Sequence, residues 1–240
     1  IKKINSFFKS YNEIRIIDLG TGTGSNFRYL SKKIKYKNQS WTLMDLSKSS
    51  LNEAKKNIVI NNKIKKINLK HDDIIKNIHQ HTFKDYDLVT GSAFLDIMPL
   101  DWFNKFYKLN TNTKLVYFSI NYDGYFKFFP KHNLDKDVLK LFNNDQKSKK
   151  NNKNKAVGPD CSDIINNCFS KTHKCYLFKS NWTDVKNKKF QLMFLDFCEK
   201  IIKKNRKTNL LDWLEFRKDH IINNKSKLNV NNKDFLAIKI

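Results

Sequence analysis

The run Ile16-Ile17-Asp18-Leu19-Gly20-Thr21-Gly22-Thr23-Gly24-Ser25 gathers an acid, three alternating glycines and hydroxyl side chains into ten positions. An apolar stretch that enters such a run reads as a buried strand turning into a helix. Glycine lets the backbone turn sharply and approach a ligand that a Cβ would push away. A helix that starts at Ser25 presents free N–H groups and the positive end of its dipole, so an anionic group on the ligand is expected there. The dinucleotide fingerprint G-x-G-x-x-G needs a glycine at position 25, where Ser25 stands. Twenty-one residues after Gly24, Trp41-Thr42-Leu43-Met44-Asp45 ends a second apolar run on a carboxylate. Two carboxylate oxygens at a strand end can accept a vicinal pair of hydroxyls. Further along, His71-Asp72-Asp73-Ile74 and Tyr86-Asp87-Leu88-Val89-Thr90-Gly91-Ser92 close two more strand-like runs with polar groups.

The order G-x-G-x-G, with an acid two places before the first glycine, resembles the class I, Rossmann-like methyltransferases that use S-adenosylmethionine. The four segments come in that family's order. The resemblance implies that Asp18, Gly20, Thr21, Gly22, Gly24 and Asn26 form the cofactor loop, with Asp18 helping to hold the methionine amino group directly or through water. It implies that Asp45, followed by Leu46, binds the ribose. It places Asp73, with Asp72 as second choice, at the adenine amino group, and Ser92 at the methionine end. Gly22 to Leu30, Gln39 to Asp45, Ser92 to Ile97, Asn121 to Gly124, Gly158 to Asp160 and Lys233 to Ala237 are similar to a bacterial branch of these enzymes. That branch has a helix before the first strand, which this chain largely lacks.

Asp96 and Asp123 stand just beyond strand ends on the expected ligand side, where a carboxylate could orient or deprotonate a methyl acceptor. Tyr122 could pack on the cationic sulfonium or on the acceptor. Each has a plainer reading: Tyr122-Asp123-Gly124 is good turn chemistry, and Asp72 or Asp73 could cap the next helix. Arg28 could serve a surface ion pair, and Trp213 with Arg217 could simply pack. His79 and His81 read as loop residues. No histidine spacing suggests a metal. Cys161, Cys168, Cys175 and Cys198 contain no CxxC pair, which fits neither zinc nor redox chemistry and agrees with a reducing cytoplasm.

These groups need a frame that brings strand ends together. Strands are expected at Arg15–Leu19, Ser40–Met44, Lys66–Lys70, Tyr86–Thr90, Lys114–Ile120, Cys175–Lys179 and Phe235–Ile240, with helices at Ser25–Lys35, Ser47–Asn61, Asp101–Leu109 and Asp160–Ser170. The alternation predicts an α/β fold: a doubly wound, mostly parallel seven-stranded sheet with helices on both faces. Two pieces exceed it. Residues 124–157 hold a helical Asp135 to Phe142 and a polar run, Lys147 to Lys155, that reads as a mobile basic loop. Residues 187–226 read as two amphipathic helices. Both follow late strands and could form a helical cap on a single domain spanning residues 1–240.

Lys plus Arg number 47 against 23 Asp plus Glu, a net charge of +24. Such a surface suits nucleic acid or anionic lipid. However, lysine outnumbers arginine 43 to 4, with 31 Asn and 23 Ile but 4 Ala. That skew follows A/T-rich codons, whereas nucleic-acid readers favour arginine's bidentate fork. Apolar residues at 40% suffice for a core, and no run approaches the ~20 residues that span a bilayer. The chain opens on Ile and reads as a trimmed piece of a cytoplasmic protein. The reading is methyl transfer to a small molecule. The rivals are an RNA or DNA methyltransferase, a nicotinamide oxidoreductase and a non-catalytic cofactor-fold binding protein.

Overall fold

The computed structural model describes residues 1–148, 150–151 and 154–240. Its strands are β1 (Ile14–Leu19), β2 (Gln39–Asp45), β3 (Ile64–His71), β4 (Leu88–Ser92), β5 (Leu115–Phe129), β6 (Lys150–Asn151), β7 (Asn154–Lys155), β8 (His173–Lys179), β9 (Trp182–Val185) and β10 (Lys227–Lys239). Its helices are α1 (Lys2–Phe7), α2 (Ser25–Lys33), α3 (Lys48–Lys56), α4 (Leu100–Leu109), α5 (Asp135–Ser148), α6 (Cys161–Phe169), α7 (Lys188–Lys204) and α8 (Leu211–Ile222).

The main sheet runs β3-β2-β1-β4-β5-β10-β8, with β9 also paired to β10. β1 to β5 are mutually parallel, and β8, β9 and β10 join antiparallel. The strand order reverses between β1 and β4, so the crevice at their carboxyl ends is where a ligand is expected. Successive residues of a strand face opposite sides. Ile17, Leu19, Val89, Val116 and Phe118 therefore pack with α4 and α6 through Trp102, Phe106, Ile165 and Phe169. Ile14, Ile16, Trp41, Leu43 and Leu115 face the other way onto Phe27 and Leu30 of α2 and Ile4 of α1. Each expected strand and helix is present, but β5 runs on to Phe129 past its expected end at Ile120, β10 starts at Lys227 ahead of the expected Phe235, and α3 ends at Lys56 short of the expected Asn61; one additional strand, β9, joins the sheet. The short helix α1 fills the place before the first strand where little was expected.

A third core holds the late insertions together. β5 does not stop near Ile120: it runs on to Phe129, paired with Lys227 to Val230 at the start of β10. Its Phe126 and Phe128 carry α5, α7 and α8 through Phe142, Phe194, Leu195 and Trp213. The aromatic start of the first insertion is thus an extended strand, because alternate Phe residues find an apolar face to bury against. Arg217 is fully buried and donates to Asp135 and to the Pro130 carbonyl, while Trp213 Nε1 donates to Asp135 at 2.7 Å. Trp213 and Arg217 therefore hold the cap together. The expected mobile stretch Lys147 to Lys155 falls partly on residues 149, 152 and 153, which lie outside the described residues. Of its remainder, α5 extends through Ser148 and β6 pairs with β7.

Candidate active site

β1 delivers Asp18 to a fully buried position beneath the glycine loop. Its Oδ2 accepts from Thr21 Oγ1 at 2.7 Å and its Oδ1 from Asn26 Nδ2 at 2.7 Å. Burial pushes the carboxyl up from 3.8 to about 6, against the opposing pull of those two hydrogen bonds. Asp18 offers no surface to a ligand; it acts on the loop, through Thr21 and Asn26. Asn26 also donates to Thr90 Oγ1 of β4 at 3.3 Å, tying the two strands across the crevice. Arg28 donates to the Thr23 carbonyl and to Ser25 Oγ, which makes it a brace of the loop's outer side.

Gly20, Gly22 and Gly24 all have positive φ, the left-handed region open to glycine at no steric cost. At Gly20 an added Cβ would lie 2.4 Å from the Phe94 ring, and at Gly22 it would meet nothing within 4 Å. The first glycine is therefore demanded by packing, whereas the second keeps open a space that a side chain would fill. Asp45 closes the loop from β2: its Oδ2 accepts the Gly22 N–H at 2.7 Å and its Oδ1 the Ser47 N–H at 2.8 Å. Each oxygen has a second lone-pair direction left for a ligand hydroxyl.

A cleft of about 310 Å³ lies here, walled by Gly20, Asp45, Leu46, Asp73, Ile74 and Ile97 among others. Leu46 is 62% exposed and Ile97 38% exposed on its rim, an apolar pair suited to a flat ring. Asp72 and Asp73 both line it. Asp72 is engaged by Asn77 at 2.7 Å, His81 at 3.2 Å and Lys70 at 3.7 Å. Asp73 commits Oδ1 to the backbone N–H groups of Ile75 and Lys76, the capping role that its position also allowed. His81, expected in a loop, is buried behind Asp72.

A second cleft, of about 480 Å³, is lined by Asn26 and Ser92. Tyr29, Tyr117, Ser119, Ile120, Trp182 and Asp234 form much of its wall. Its floor is a bulge between β5 and β10, where Asp234 stands opposite both Ser119 and Ile120. Ile120 has φ +56°, rare for a β-branched residue, and its N–H is held by Asp234 Oδ1 at 3.0 Å. Asp234 Oδ2 accepts from the Tyr117 hydroxyl at 2.7 Å. Sequence reasoning missed this wall. The available signal was an acid, Asp234, interrupting an apolar strand within Lys233-Asp234-Phe235-Leu236-Ala237.

The three residues expected to act on the acceptor line neither cleft. Tyr122 is buried in the cap core, donates to Asn143 Oδ1 at 3.0 Å and packs edge-on to Phe142. Asp123 pairs with Lys233 at 2.8 Å. Asp96 sits in a short 3-10 helix, Leu95–Ile97, beyond β4. The extension of β5 explains the first two: Tyr122 and Asp123 lie within the strand and not at its end. Nor do α5, α7 or α8 contribute a described residue to either cleft; Trp182 of β9 and Ser180, which precede the second insertion, reach the wall instead. Among the described residues no group of three His, Cys, Asp or Glu could hold a metal ion, and no helix is long and apolar enough to cross a membrane.

A glycine loop at a strand-order reversal, followed by an acid-tipped second strand, is the site of a Rossmann-like methyltransferase fold. Residues 16–110, which contain the whole of the first cleft, match a family described as a methyltransferase domain. Among solved structures, a SAM-dependent methyltransferase from Methanosarcina mazei shares the fold at a TM-score of 0.56, with 10% identity over 100% of this chain and 98% of that one. The methyltransferase domain of bacterial CtHen1-C gives a TM-score of 0.48 at 14% identity, covering 100% of this chain and 96% of that one. The cyclopropane synthase MmaA2 from Mycobacterium tuberculosis gives 0.48 at 9% identity, covering 98% and 83%. No curated protein matches the chain. Residues 16–110 are thus a methyltransferase domain, an enzyme unit whose cofactor is S-adenosylmethionine.

Proposed function

We propose that the protein transfers the methyl group of S-adenosylmethionine to a small-molecule acceptor bound in the second cleft. The observation that carries this reading is the cleft of about 480 Å³ lined by Asn26 and Ser92, next to the acid-lined cleft. A pocket of that size lies in the range typical of small-molecule sites. Ser92 of the second cleft and Ala93 of the first are consecutive residues at the end of β4, and adjoining clefts suit a reaction in which donor and acceptor approach each other along one line.

The residues of the first cleft fit the cofactor. Asp45 accepts from the ribose hydroxyls with the lone pairs its backbone contacts leave free, and the open space at Gly22 admits the ligand against the backbone. Leu46 and Ile97 flank the adenine, and Asp73 accepts from its amino group through the Oδ2 atom it does not use for capping. Asp18 fixes Thr21 and Asn26, so the loop keeps its shape when the site is empty. When bound, the cofactor supplies an electrophilic methyl on a cationic sulfur. The protein's share is alignment of the nucleophile and exclusion of misdirected water, the terms that dominate an in-line displacement. The strained Ile120 backbone, held by Asp234, fixes the floor on which the acceptor rests.

The test is to incubate the protein with methyl-labelled S-adenosylmethionine and, separately, a small-metabolite extract, total RNA and denatured cell protein. Label should appear in the small-metabolite fraction. Label confined to RNA or protein would overturn the assignment of the acceptor class, and absence of S-adenosylhomocysteine binding would overturn the site.

A further inference from the structure

The wall of the second cleft has a charge character opposite to that of the chain. The protein carries 47 Lys and Arg in 240 residues, yet among the described residues the cleft's lining contains neither, nor any histidine. Among those residues its one charged side chain is the Asp234 carboxylate. Tyr29, Tyr117 and Trp182 contribute aromatic surface, and Ser25, Ser92, Ser119 and Ser180 contribute small hydroxyls. An anionic acceptor would meet a like charge and no counter-charge there. A neutral hydrocarbon would desolvate the carboxylate and leave it without a counter-charge, which is costly.

From this wall we infer that the acceptor is a small amine, held in its ammonium form by Asp234 and by the faces of the surrounding aromatic rings. The inference rests on the methyl-transfer reading and names the substrate class of the same site. A carboxylate with an aromatic box is a general solution for binding organic cations, because ring faces are negative and the acid supplies a full charge. Asp234 is already oriented for it. The Ile120 N–H fixes one oxygen and the Tyr117 hydroxyl the other, each leaving lone pairs for a further N–H donor. The Tyr117 oxygen, whose hydroxyl donates its hydrogen bond to Asp234, offers a lone pair of its own.

The chemistry balances with an amine. The bound ammonium gives one proton to water and frees the nitrogen lone pair. That pair forms the N–C bond as the cofactor's S–C bond breaks, and the bonding pair stays on sulfur as a neutral thioether. The product nitrogen is again cationic, so Asp234 has a partner before and after transfer.

Calorimetry with three probes of one skeleton tests this: 2-phenylethylamine, 2-phenylethanol and 3-phenylpropanoate, each titrated into the protein without cofactor. The amine should bind at least tenfold more tightly than the acid and more tightly than the alcohol. Asp234→Asn, which keeps an oxygen for the Ile120 N–H, should reduce the amine-to-acid ratio to within about threefold. Tyr29→Leu is the second variant, because Tyr29 is 55% exposed and its loss does not threaten folding; it should weaken the amine several-fold and leave the acid unchanged. Equal binding of amine and acid by the wild type, or a preference that survives Asp234→Asn in a protein that melts as the wild type does, overturns the inference. If Asp234→Asn fails to fold, an unchanged amine affinity in Tyr29→Leu overturns it instead. A parallel titration with S-adenosylhomocysteine separates the two readings: its failure refutes the cofactor site, whereas loss of the amine preference alone refutes the acceptor class.

Discussion

Replacing Asp18 by Asn should change how stability depends on pH, by an amount the structure sets. In the folded protein the carboxyl is buried, receives two 2.7 Å hydrogen bonds, and titrates at about 6 in place of 3.8 because burial disfavours its charge. The folded state therefore holds a proton that the unfolded state has released between those two values. Stability from this group is fully present below 3.8 and is lost as pH rises through 6. A shift of about 2 units corresponds to about 3 kcal/mol in all, of which about 2 kcal/mol falls between pH 4.5 and 7.5. Asn titrates nowhere in this range. Urea unfolding of both proteins across that window, followed by circular dichroism, gives the difference in stability at each pH. Subtracting one from the other cancels most of the repulsion among the other charges, which both chains share. Wild type should lose about 2 kcal/mol relative to Asp18→Asn from pH 4.5 to 7.5. A difference that stays flat within about 0.5 kcal/mol, or that runs the other way, would refute the buried, proton-holding role of Asp18.

Three further outcomes follow from the cofactor loop and its surroundings. Gly20→Ala should destabilise by about 1 to 3 kcal/mol, because its Cβ would strike Phe94 and its φ is +62°; Gly22→Ala, with open space around its Cβ, should cost only about 1 kcal/mol of strain yet lose at least tenfold in S-adenosylhomocysteine affinity by calorimetry. Asp45→Ala should weaken the same ligand by about 1 to 3 kcal/mol, since ribose hydroxyls and two backbone N–H groups lose their acceptor, and an unchanged affinity would refute the placement of the ribose. Asp123→Asn should leave turnover within twofold of wild type and reduce stability by no more than about 1 kcal/mol, because Asp123 only pairs with Lys233 outside both clefts; a tenfold loss of turnover would restore it to the reaction.

The sequence displayed the cofactor half because that half depends on local signals. Three glycines at alternate positions, an acid before them and an acid at the next strand end are short-range patterns, and each sits within one strand–loop–helix unit. The cleft proposed for the acceptor depends on a register between strands more than 100 residues apart. Asp234 meets Tyr117 and Ile120 only because β10 inserts antiparallel beside β5 and slips by one residue at the bulge. No spacing within either strand announces that meeting. Tyr122 and Asp123 misled for a related reason. A Tyr-Asp-Gly triplet after seven apolar-rich residues reads as a turn, yet Phe126 and Phe128 find an apolar cap to pack on, and burial overrides the turn signal. Asp18 was expected to help hold the methionine amino group, but its burial turns both oxygens onto Thr21 and Asn26, which no spacing in the sequence announces.

Charge then takes on a definite meaning. The lysines serve the fold in several unrelated places: last turns of helices at Lys32, Lys33, Lys55, Lys56, Lys203 and Lys204, where they complement the helix dipole, and i,i+4 pairs such as Lys105 with Asp101 and Lys200 with Asp196. Lys65, Lys66 and Lys70 stud the exposed edge strand β3, where charge deters pairing with another chain. None of these uses requires a polymer track leading to the second cleft, whose wall repels phosphate. Double-stranded RNA should therefore bind weakly and without affecting amine binding, and that weak binding should vanish between about 50 and 200 mM salt. Tight RNA binding at physiological salt that competes with 2-phenylethylamine would show that the lysines lead to the site after all, and would reverse the choice between a small acceptor and a nucleic acid.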